Sequence, residues 1–393
     1  MDPHLPLAED WRDLLQAVAE EHRLAHDPQA LARAVSELSR AYNGLDPTAT
    51  TRGRGALAAR LAFSFTRDVP KAASAVRELI GAGLLRLPSD RELRVIDVGA
   101  GLGAMTWGVA SALANAGQSG KMHAAWTDVD ADALAIGATV ARRAGRVGEV
   151  EVRVTLDKPR GEADLVILGQ VLSEMDLAQD EESRASRHEA LLREWLLRVA
   201  SDGSLVVVEP ALRDRTRHLH RVRDRLAASG VAPFAPCLHS EPCPALAHAT
   251  DWCHEDRPID LPKWLVPLAR AAGLRWEGLT YSYLVLRRDG KTVRSSLHGP
   301  SGLVRVTSRA LVTKGKSERV VCGAVSRSGE LVGGSARVAV LDREKSGRDA
   351  WDATARGELL AFEPPVDEGT SRIRLERTRV SAVDATDPGG YPK

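Results

Sequence analysis

Net charge, lysine, cysteine, aromatic residues and long apolar runs are all scarce in this 393-residue chain. The 54 Lys and Arg stand against 53 Asp and Glu, a net charge of +1, which excludes a uniformly basic nucleic-acid coat but leaves room for a local basic face. Only nine of the basic residues are Lys; this Arg bias, with abundant Ala and Leu, reads as the coding habit of a GC-rich genome. No apolar run approaches the roughly 18–20 residues that a membrane-spanning helix needs. The first ten residues, Met1 to Asp10, are acidic and broken by Pro, unlike a secretory or organelle-targeting leader, so the expected compartment is the cytoplasm. Cysteine is limited to four residues. Cys237, Cys243 and Cys253 fall within 17 positions and Cys322 lies 69 further on, a grouping that in a reducing compartment points to metal rather than disulfides. What remains is globular: 44% hydrophobic and 27% charged residues, in a chain long enough for two or three domains.

Residues 9 to about 85 repeat apolar positions at three-to-four spacing, as in Leu14, Leu15, Val18 and Ala19, and again in Leu31, Val35 and Leu38. This predicts an N-terminal helical domain over 1–85. It would carry a loop at Asn43–Gly55, a helix over Ala56–Phe65, and a further helix after Val69-Pro70 that ends near Gly81–Gly83. From Leu93 the pattern becomes short β-branched runs alternating with helical stretches. Strands are expected at Arg94–Val98, His123–Thr127, Val152–Leu156, Leu165–Leu168 and Ser204–Val208, with helices such as Ala131–Arg146 and Arg184–Val199 between them. Such alternation argues for a parallel sheet covered by helices on both faces. Leu274–Thr280 and Ser282–Arg287 read as an adjacent final pair of strands. Beyond Asp289, Gly- and Ser-punctuated runs at Leu303–Thr307, Arg319–Val325, Ser335–Val340 and Glu358–Ala361 suggest a small β domain, with a closed barrel as one arrangement. A loose tail of about 25 residues is expected after it.

The sharpest local motif is Val95-Ile-Asp97-Val-Gly99-Ala-Gly101-Leu-Gly103, in which a strand runs into an acid and three alternating glycines before a helix. Glycines permit the turn and let a ligand approach the backbone. The spacing is G-x-G-x-G rather than the G-x-G-x-x-G of dinucleotide binders. With Asp97 it resembles motif I of class I S-adenosylmethionine-dependent methyltransferases. That resemblance implies that Asp97, Gly99, Gly101 and Gly103 hold the methionine part of S-adenosyl-L-methionine. It further implies that Asp128, from Trp126-Thr-Asp128-Val-Asp130, binds the ribose hydroxyls, with Asp130 instead capping the following helix. Asp157 would reach the adenine, and Gly169-Gln-Val-Leu-Ser-Glu174, including Gln170, would line the transfer site. That stretch contains neither a cytosine-directed thiol nor an amine-directed Asn/Asp-Pro-Pro-aromatic loop, so the catalytic residues are unassigned and Glu174 reads equally well as a capping acid.

The cysteine spacing is C-x5-C-x9-C-x68-C, with Pro beside Cys237 and Cys243 and Gly323 beside Cys322. Four thiolates suit tetrahedral Zn or a 4Fe–4S cluster, and the spacing alone does not choose between them. His239, His248 and His254 read as exposed or hydrogen-bonding side chains, since four cysteines complete a site. The run Val207-Val-Glu209-Pro210, a basic helix, then A-P-C, E-P-C-P and D-W-C-H resembles the Rsm-twenty-two family, methyltransferase-like proteins associated with the small ribosomal subunit. In this chain Leu238 follows Cys237 where the family usually has Pro, and Glu255 replaces an aromatic. The resemblance implies that Cys237, Cys243, Cys253 and Cys322 ligate a 4Fe–4S cluster. It also implies small-subunit rRNA, or the pre-ribosomal small subunit, as the partner. Two basic stretches are candidates for phosphate contact. Arg213–Arg225 holds six Arg against two Asp, and residues 287–319 hold nine Lys or Arg against two acids; neither carries an aromatic stacking ladder.

The expected fold class is therefore α/β. It comprises an N-terminal helical domain (1–85), a class I methyltransferase (Rossmann-like) domain (86–289) with a cysteine-rich, metal-binding insertion at 232–260, a C-terminal β domain (290–365) and a tail (366–393). The function expected is that of an S-adenosylmethionine-binding, iron–sulfur-containing methyltransferase-like protein that acts on or binds small-subunit rRNA in ribosome assembly and translation. The alternative is a non-catalytic assembly factor that uses the fold as a scaffold.

Overall fold

Asp27 opens the second helix: its carboxylate accepts the Ala30 N–H at 2.8 Å, and Pro28 takes the first helical position, where its missing N–H is harmless. The computed structural model describes residues 10–25, 27–44, 51–85, 88–257, 261–297, 301–344, 348–369 and 377–384. It begins with α1 (Asp10–Glu21) and α2 (Pro28–Tyr42). A continuous helical run follows, made of α3 (Arg54–Ala59), a π turn (Arg60–Ser64) and α4 (Phe65–Gly81). The helix thus passes through Pro70, where a break was expected. Burial of Val69, Ala72, Ala73 and Val76 on either side holds it together, because tertiary packing outweighs the lost N–H.

The alternation expected after Leu93 is present. In chain order it gives β1 (Leu93–Val98), α5 (Ala104–Asn115), β2 (Gly120–Thr127), α6 (Ala131–Ala144), β3 (Arg146–Val147), β4 (Val150–Thr155), β5 (Ala163–Gly169) and α7 (Glu181–Leu197). Then come β6 (Val199–Pro210), α8 (Arg213–Ala228), β7 (Pro233–Ala235), β8 (Glu255–Arg257), α9 (Val266–Ala271), β9 (Leu279–Arg287) and α10 (Val293–Ser296). The C-terminal part contains β10 (Leu303–Val306), β11 (Leu311–Thr313), β12 (Lys316–Arg327), β13 (Glu330–Leu341), α11 (Asp349–Ala353), β14 (Leu359–Glu363) and β15 (Arg379–Val383).

The chain divides into two compact units, each discontinuous in sequence. The first takes Met1–Arg77, Arg86–Val171 and Pro258–Leu279. Its strands run in the order β3-β4-β2-β1-β5, parallel except for the edge pair β3 and β4. The N-terminal helices pack within this unit: Trp11 of α1 meets Trp107 of α5 edge-on at 5.2 Å, and Glu21 pairs with Arg142 and Arg143 of α6. Gly108 lets α5 close on α4, since a Cβ there would lie 2.4 Å from the Val69 carbonyl oxygen. Leu274 and Trp276 join an apolar cluster with Val35, Leu38, Leu261 and Leu265 instead of entering a sheet. The expected Leu274–Thr280 strand is therefore absent, and β9 stands alone where a pair was expected.

The second unit takes Glu78–Leu85, Leu172–Arg257 and Thr280–Lys393. In it β9 pairs antiparallel with both β6 and β7, and β8 also pairs β9. A further antiparallel sheet has the order β11-β12-β10-β14-β15, with β13 on β12. Its core includes Val304, Val321, Trp351, Leu360 and Phe362. Among the described residues the pairings leave this sheet open rather than closed as a barrel. Within the expected tail, Arg379–Val383 forms β15 on β14, with Val380 and Val383 turned into the core. Residues 1–9 of the expected helical domain, 45–50 of the expected loop, 258–260 of the expected insertion, and 370–376 and 385–393 of the expected tail lie outside the described residues. No described helix is long and apolar enough to cross a membrane.

Candidate functional site

The first unit collects most of the expected cofactor residues along the carboxyl edge of its parallel strands, where ligands of open α/β sheets bind. Val98 of β1 lies in register with Thr127 of β2 and Leu168 of β5, which places Gly99, Asp128 and Gln170 beyond three adjacent strand ends. The glycine turn is pinned to β2, because the N–H groups of Gly99 and Ala100 both donate to the Thr127 carbonyl, at 2.8 and 3.0 Å. All three glycines have positive φ (66°, 51° and 83°), yet they differ in surroundings. A Cβ at Gly99 would strike Val171 at 2.5 Å, and one at Gly103 would strike the Trp126 ring at 2.2 Å. A Cβ at Gly101 would meet only an Asp128 oxygen, at 3.8 Å. Gly99 and Gly103 are thus explained by packing, whereas Gly101 borders open space.

The two acids after β2 divide their roles. Asp128 accepts the Gly101 N–H at 2.8 Å and the Asp130 N–H at 2.8 Å; Asp130 caps α6 by accepting the Ala133 N–H at 3.0 Å. Asp97 is fully buried, and its Oδ2 accepts from the Thr106 N–H (3.1 Å) and hydroxyl (2.7 Å). The Thr106 hydroxyl in turn accepts the Trp126 indole N–H at 2.8 Å. Burial pushes the Asp97 carboxyl up to about 7, and its Oδ1 has no hydrogen-bond partner among the described residues. Asp157 lies exposed beyond the end of β4.

Gln170 has φ +61° and donates its amide to Asp68 of α4 at 2.7 Å, while Lys71 holds the other Asp68 oxygen at 2.7 Å. In the second unit the following backbone is gripped from both sides. Glu209 of β6 accepts the N–H groups of Leu172 (2.9 Å) and Ser173 (3.0 Å), while Arg184 and Arg215 donate to the Leu172 and Ser173 carbonyls. Burial pushes Glu209 up to about 7. Helix α7 is capped by Asp180 through the Ser183 N–H, so the capping acid is Asp180 and not Glu174.

The four cysteines all lie in the second unit and line one cavity of about 890 Å³. Cys237 follows β7, Cys243 precedes a short 3-10 turn, Cys253 precedes β8, and Cys322 sits in β12 opposite Arg305 of β10 and Ser335 of β13. Burial, and then the neighbouring thiols, push Cys243 and Cys322 well above the usual thiol range, and Cys253 up to about 12. Among the described residues no group of three or more His, Cys, Asp or Glu is arranged to hold a single metal ion.

The Arg-rich helix α8 is not the open phosphate face that its composition suggested. Residues 217, 220 and 224, spaced i, i+3, i+7 on one face, address the cysteine-bearing segment. Arg217 donates to the carbonyls of Ala245, His248 and Asp251 at 2.7–2.9 Å. Asp224 accepts the Cys243 N–H at 2.9 Å. His220, which burial holds neutral with a pKa of about 4, accepts the Cys253 N–H at 3.2 Å. Arg223, buried, donates to the carbonyls of Glu241 and His239. Arg221 pairs with Glu181, and Arg225 with Glu189, so five of the six arginines are engaged within the unit. In residues 287–319, likewise, Arg287, Arg305 and Arg319 are buried, and Arg309 pairs with Asp256.

Two contacts here were not anticipated. His239 brings Nε2 to 3.3 Å from the Cys322 sulfur. Arg305 forks onto Glu78 (2.7 and 3.0 Å) and donates to the Pro236 and Gly357 carbonyls, each at 2.7 Å. The alternation of Leu303-Val-Arg305-Val was a signal that an arginine sits inside a strand. His254 stacks with half-exposed Trp252 at 5.4 Å and accepts from Arg356 at 3.2 Å.

Compared with known proteins, the sequence matches the family described as "Mitochondrial small ribosomal subunit Rsm22" over residues 59–334. No curated protein matches it. Similar solved structures include a magnesium protoporphyrin IX methyltransferase from Synechocystis PCC 6803 with bound SAM, at 14% identity over 57% of this chain and 83% of that one, TM-score 0.31. A putative class I S-adenosylmethionine-dependent methyltransferase from Listeria monocytogenes has 13% identity over 71% and 88%, TM-score 0.33. A likely methyl transferase from Burkholderia thailandensis bound to S-adenosyl-homocysteine has 13% identity over 75% and 97%, TM-score 0.34. Likeness at these scores establishes neither activity nor cofactor.

Proposed function

Because the chain belongs to the family described as mitochondrial small ribosomal subunit Rsm22, we propose that it acts on the small ribosomal subunit or its precursor, through small-subunit rRNA. The observation that carries this reading is the extent of the family match: residues 59–334 take in the glycine turn and all four cysteines.

In this reading the first unit binds S-adenosyl-L-methionine. The residues present fit such a ligand: Gly101 leaves room at the backbone, Asp128 borders it, and Asp97 keeps one oxygen without a partner among the described residues. The cofactor would supply a transferable methyl group. Gly101 would admit it and Asp128 would accept from its ribose hydroxyls. The second unit holds a 4Fe–4S cluster on Cys237, Cys243, Cys253 and Cys322. Four thiols lining one cavity supply the ligand set that such a cluster needs. Its role is structural, tying the segment between β7 and β8 to β12. The domain division expected from the sequence, with an insertion at 232–260, belongs to the same proposal.

One observation favours a non-catalytic assembly factor as the second reading. Gln170, at the expected transfer site, is tied to Asp68, and no recognisable catalytic loop follows it. Anaerobic protein assayed for iron, sulfide, zinc and co-purifying RNA tests the cluster and partner. Calorimetry with S-adenosylmethionine tests the cofactor. Mapping rRNA methylation in a deletion strain complemented with wild-type or Asp128→Ala protein separates the two readings. A methyl mark lost in the deletion and in the variant supports transfer; intact marks with defective subunit assembly support the factor.

A further inference from the structure

We propose that His239 is a positioning residue that donates a hydrogen bond from Nε2 to the Cys322 sulfur and thereby tunes the inorganic centre held by the four cysteines. This rests on the four-cysteine reading above. The Nε2–Sγ separation is 3.3 Å, within hydrogen-bonding range for sulfur. A metal-bound thiolate has no proton to give, so the imidazole must carry its proton on Nε2.

Both ends of the residue are fixed. The carbonyl of His239 accepts from the buried Arg223 guanidinium. The ring lies against Gly333 of β13 so closely that a Cβ there would fall 2.5–2.7 Å from the His239 Cγ, Cβ and Nδ1 atoms. Gly333 lies within β13, outside the left-handed φ region and with no turn to make, so the seat for the imidazole is what the bare backbone provides. An N–H donated to a ligand sulfur withdraws charge from it and favours the reduced, more negative state of an iron–sulfur centre. Loss of the donor therefore shifts the reduction midpoint to more negative potential while leaving four sulfur ligands in place.

The full chain, purified anaerobically, is assayed for iron, sulfide and zinc and titrated with dithionite under EPR. Wild-type protein is compared with His239→Leu, which removes the donor, His239→Gln, which keeps an N–H, and Gly333→Ala, which evicts the ring. The expected result is equal iron and sulfide in all four, a more negative midpoint in His239→Leu and Gly333→Ala, and recovery toward wild type in His239→Gln. A loaded His239→Leu with an unchanged midpoint overturns the donor role alone. Loss of iron from both His239 variants makes the residue a ligand and overturns it too. Wild-type protein with no iron and sulfide, or with zinc, overturns the cluster reading itself.

Discussion

Arg305 lies opposite Cys322 across the β10–β12 ladder, and its guanidinium reaches the carbonyl of Pro236, the residue before Cys237. One buried side chain thus joins the strand that carries the last cysteine to the loop that carries the first. Its charge is balanced by Glu78, also buried, in a two-pronged contact. Arg is suited to this place because its planar fork serves two carbonyls and a carboxylate at once, which an ammonium cannot do.

Replacing Arg305 with Met should destabilise the protein by about 3–5 kcal/mol, since the buried Glu78 carboxylate loses its two-pronged contact and the Pro236 and Gly357 carbonyls lose a charged donor. Arg305→Lys should recover little of that loss. Arg305→Met with Glu78→Leu should recover most of it, because the buried carboxylate that faced the guanidinium is gone too. Urea unfolding of the four proteins checks the order; a double variant as weak as Arg305→Met would assign the loss to the carbonyl contacts instead.

Gly101 and Gly103 should separate ligand binding from folding. Gly103→Ala drives a Cβ into the Trp126 ring at a left-handed φ and should cost about 2–4 kcal/mol. Gly101→Ala has open space and should cost only about 1–2 kcal/mol in backbone strain. If S-adenosylmethionine binds at the turn, Gly101→Ala should weaken it about tenfold or more, at least ~1.4 kcal/mol. Thermal unfolding and calorimetry read the two effects independently.

Much of the site was legible because its signals are local. Asp130 reads as a cap since a helix starts beside it, and the glycine turn reads as one since a strand and a helix flank it. The role of Glu209 is not local: its partners lie 36 and 37 residues earlier in the chain, and no pattern links them. The arginines of α8 mislead for the same reason. Sequence shows six positive charges but not the carbonyls of residues 239–251 that take up two of them. Leu274 and Trp276 look like strand residues because burial against helices and burial in a sheet leave the same apolar trace over so short a run.

Glu209 should leave a signature in the pH dependence of stability. Its carboxyl is raised from the usual 4.5 to about 7, so between these values the folded state binds a proton that the unfolded state does not. Its favourable contribution is full below about 4.5 and is lost as pH rises through 7, an effect on the order of 3 kcal/mol. Glu209→Gln cannot titrate. It should be less stable at low pH, because one backbone N–H then faces an amide N–H, but the gap to wild type should narrow as pH rises from 5 to 8. A gap independent of pH would show that Glu209 is ionised throughout.

The buried pair His188 and His218 should act in the opposite direction. Their rings meet at 2.8 Å between His188 Nδ1 and His218 Nε2, and His188 Nε2 lies 3.4 Å from an Asp176 oxygen. Burial first, and then neighbouring charge that includes Arg184, pushes His218 down to about 3 and also lowers His188. Below about 6.5 the unfolded state takes up protons that the folded pair refuses, so stability present at neutral pH falls on acidification at up to ~1.4 kcal/mol per pH unit for each histidine. Asp97 and Glu209 gain stability over part of the same range, so the net curve of the wild type is a difference of these effects. His218→Gln isolates one side of it: relative to wild type its stability should rise as pH drops from 7 to 5. Urea unfolding at pH 7, 6 and 5 measures this directly, and parallel curves for the two proteins would mean that His218 takes up its proton in the folded state as readily as in the unfolded one.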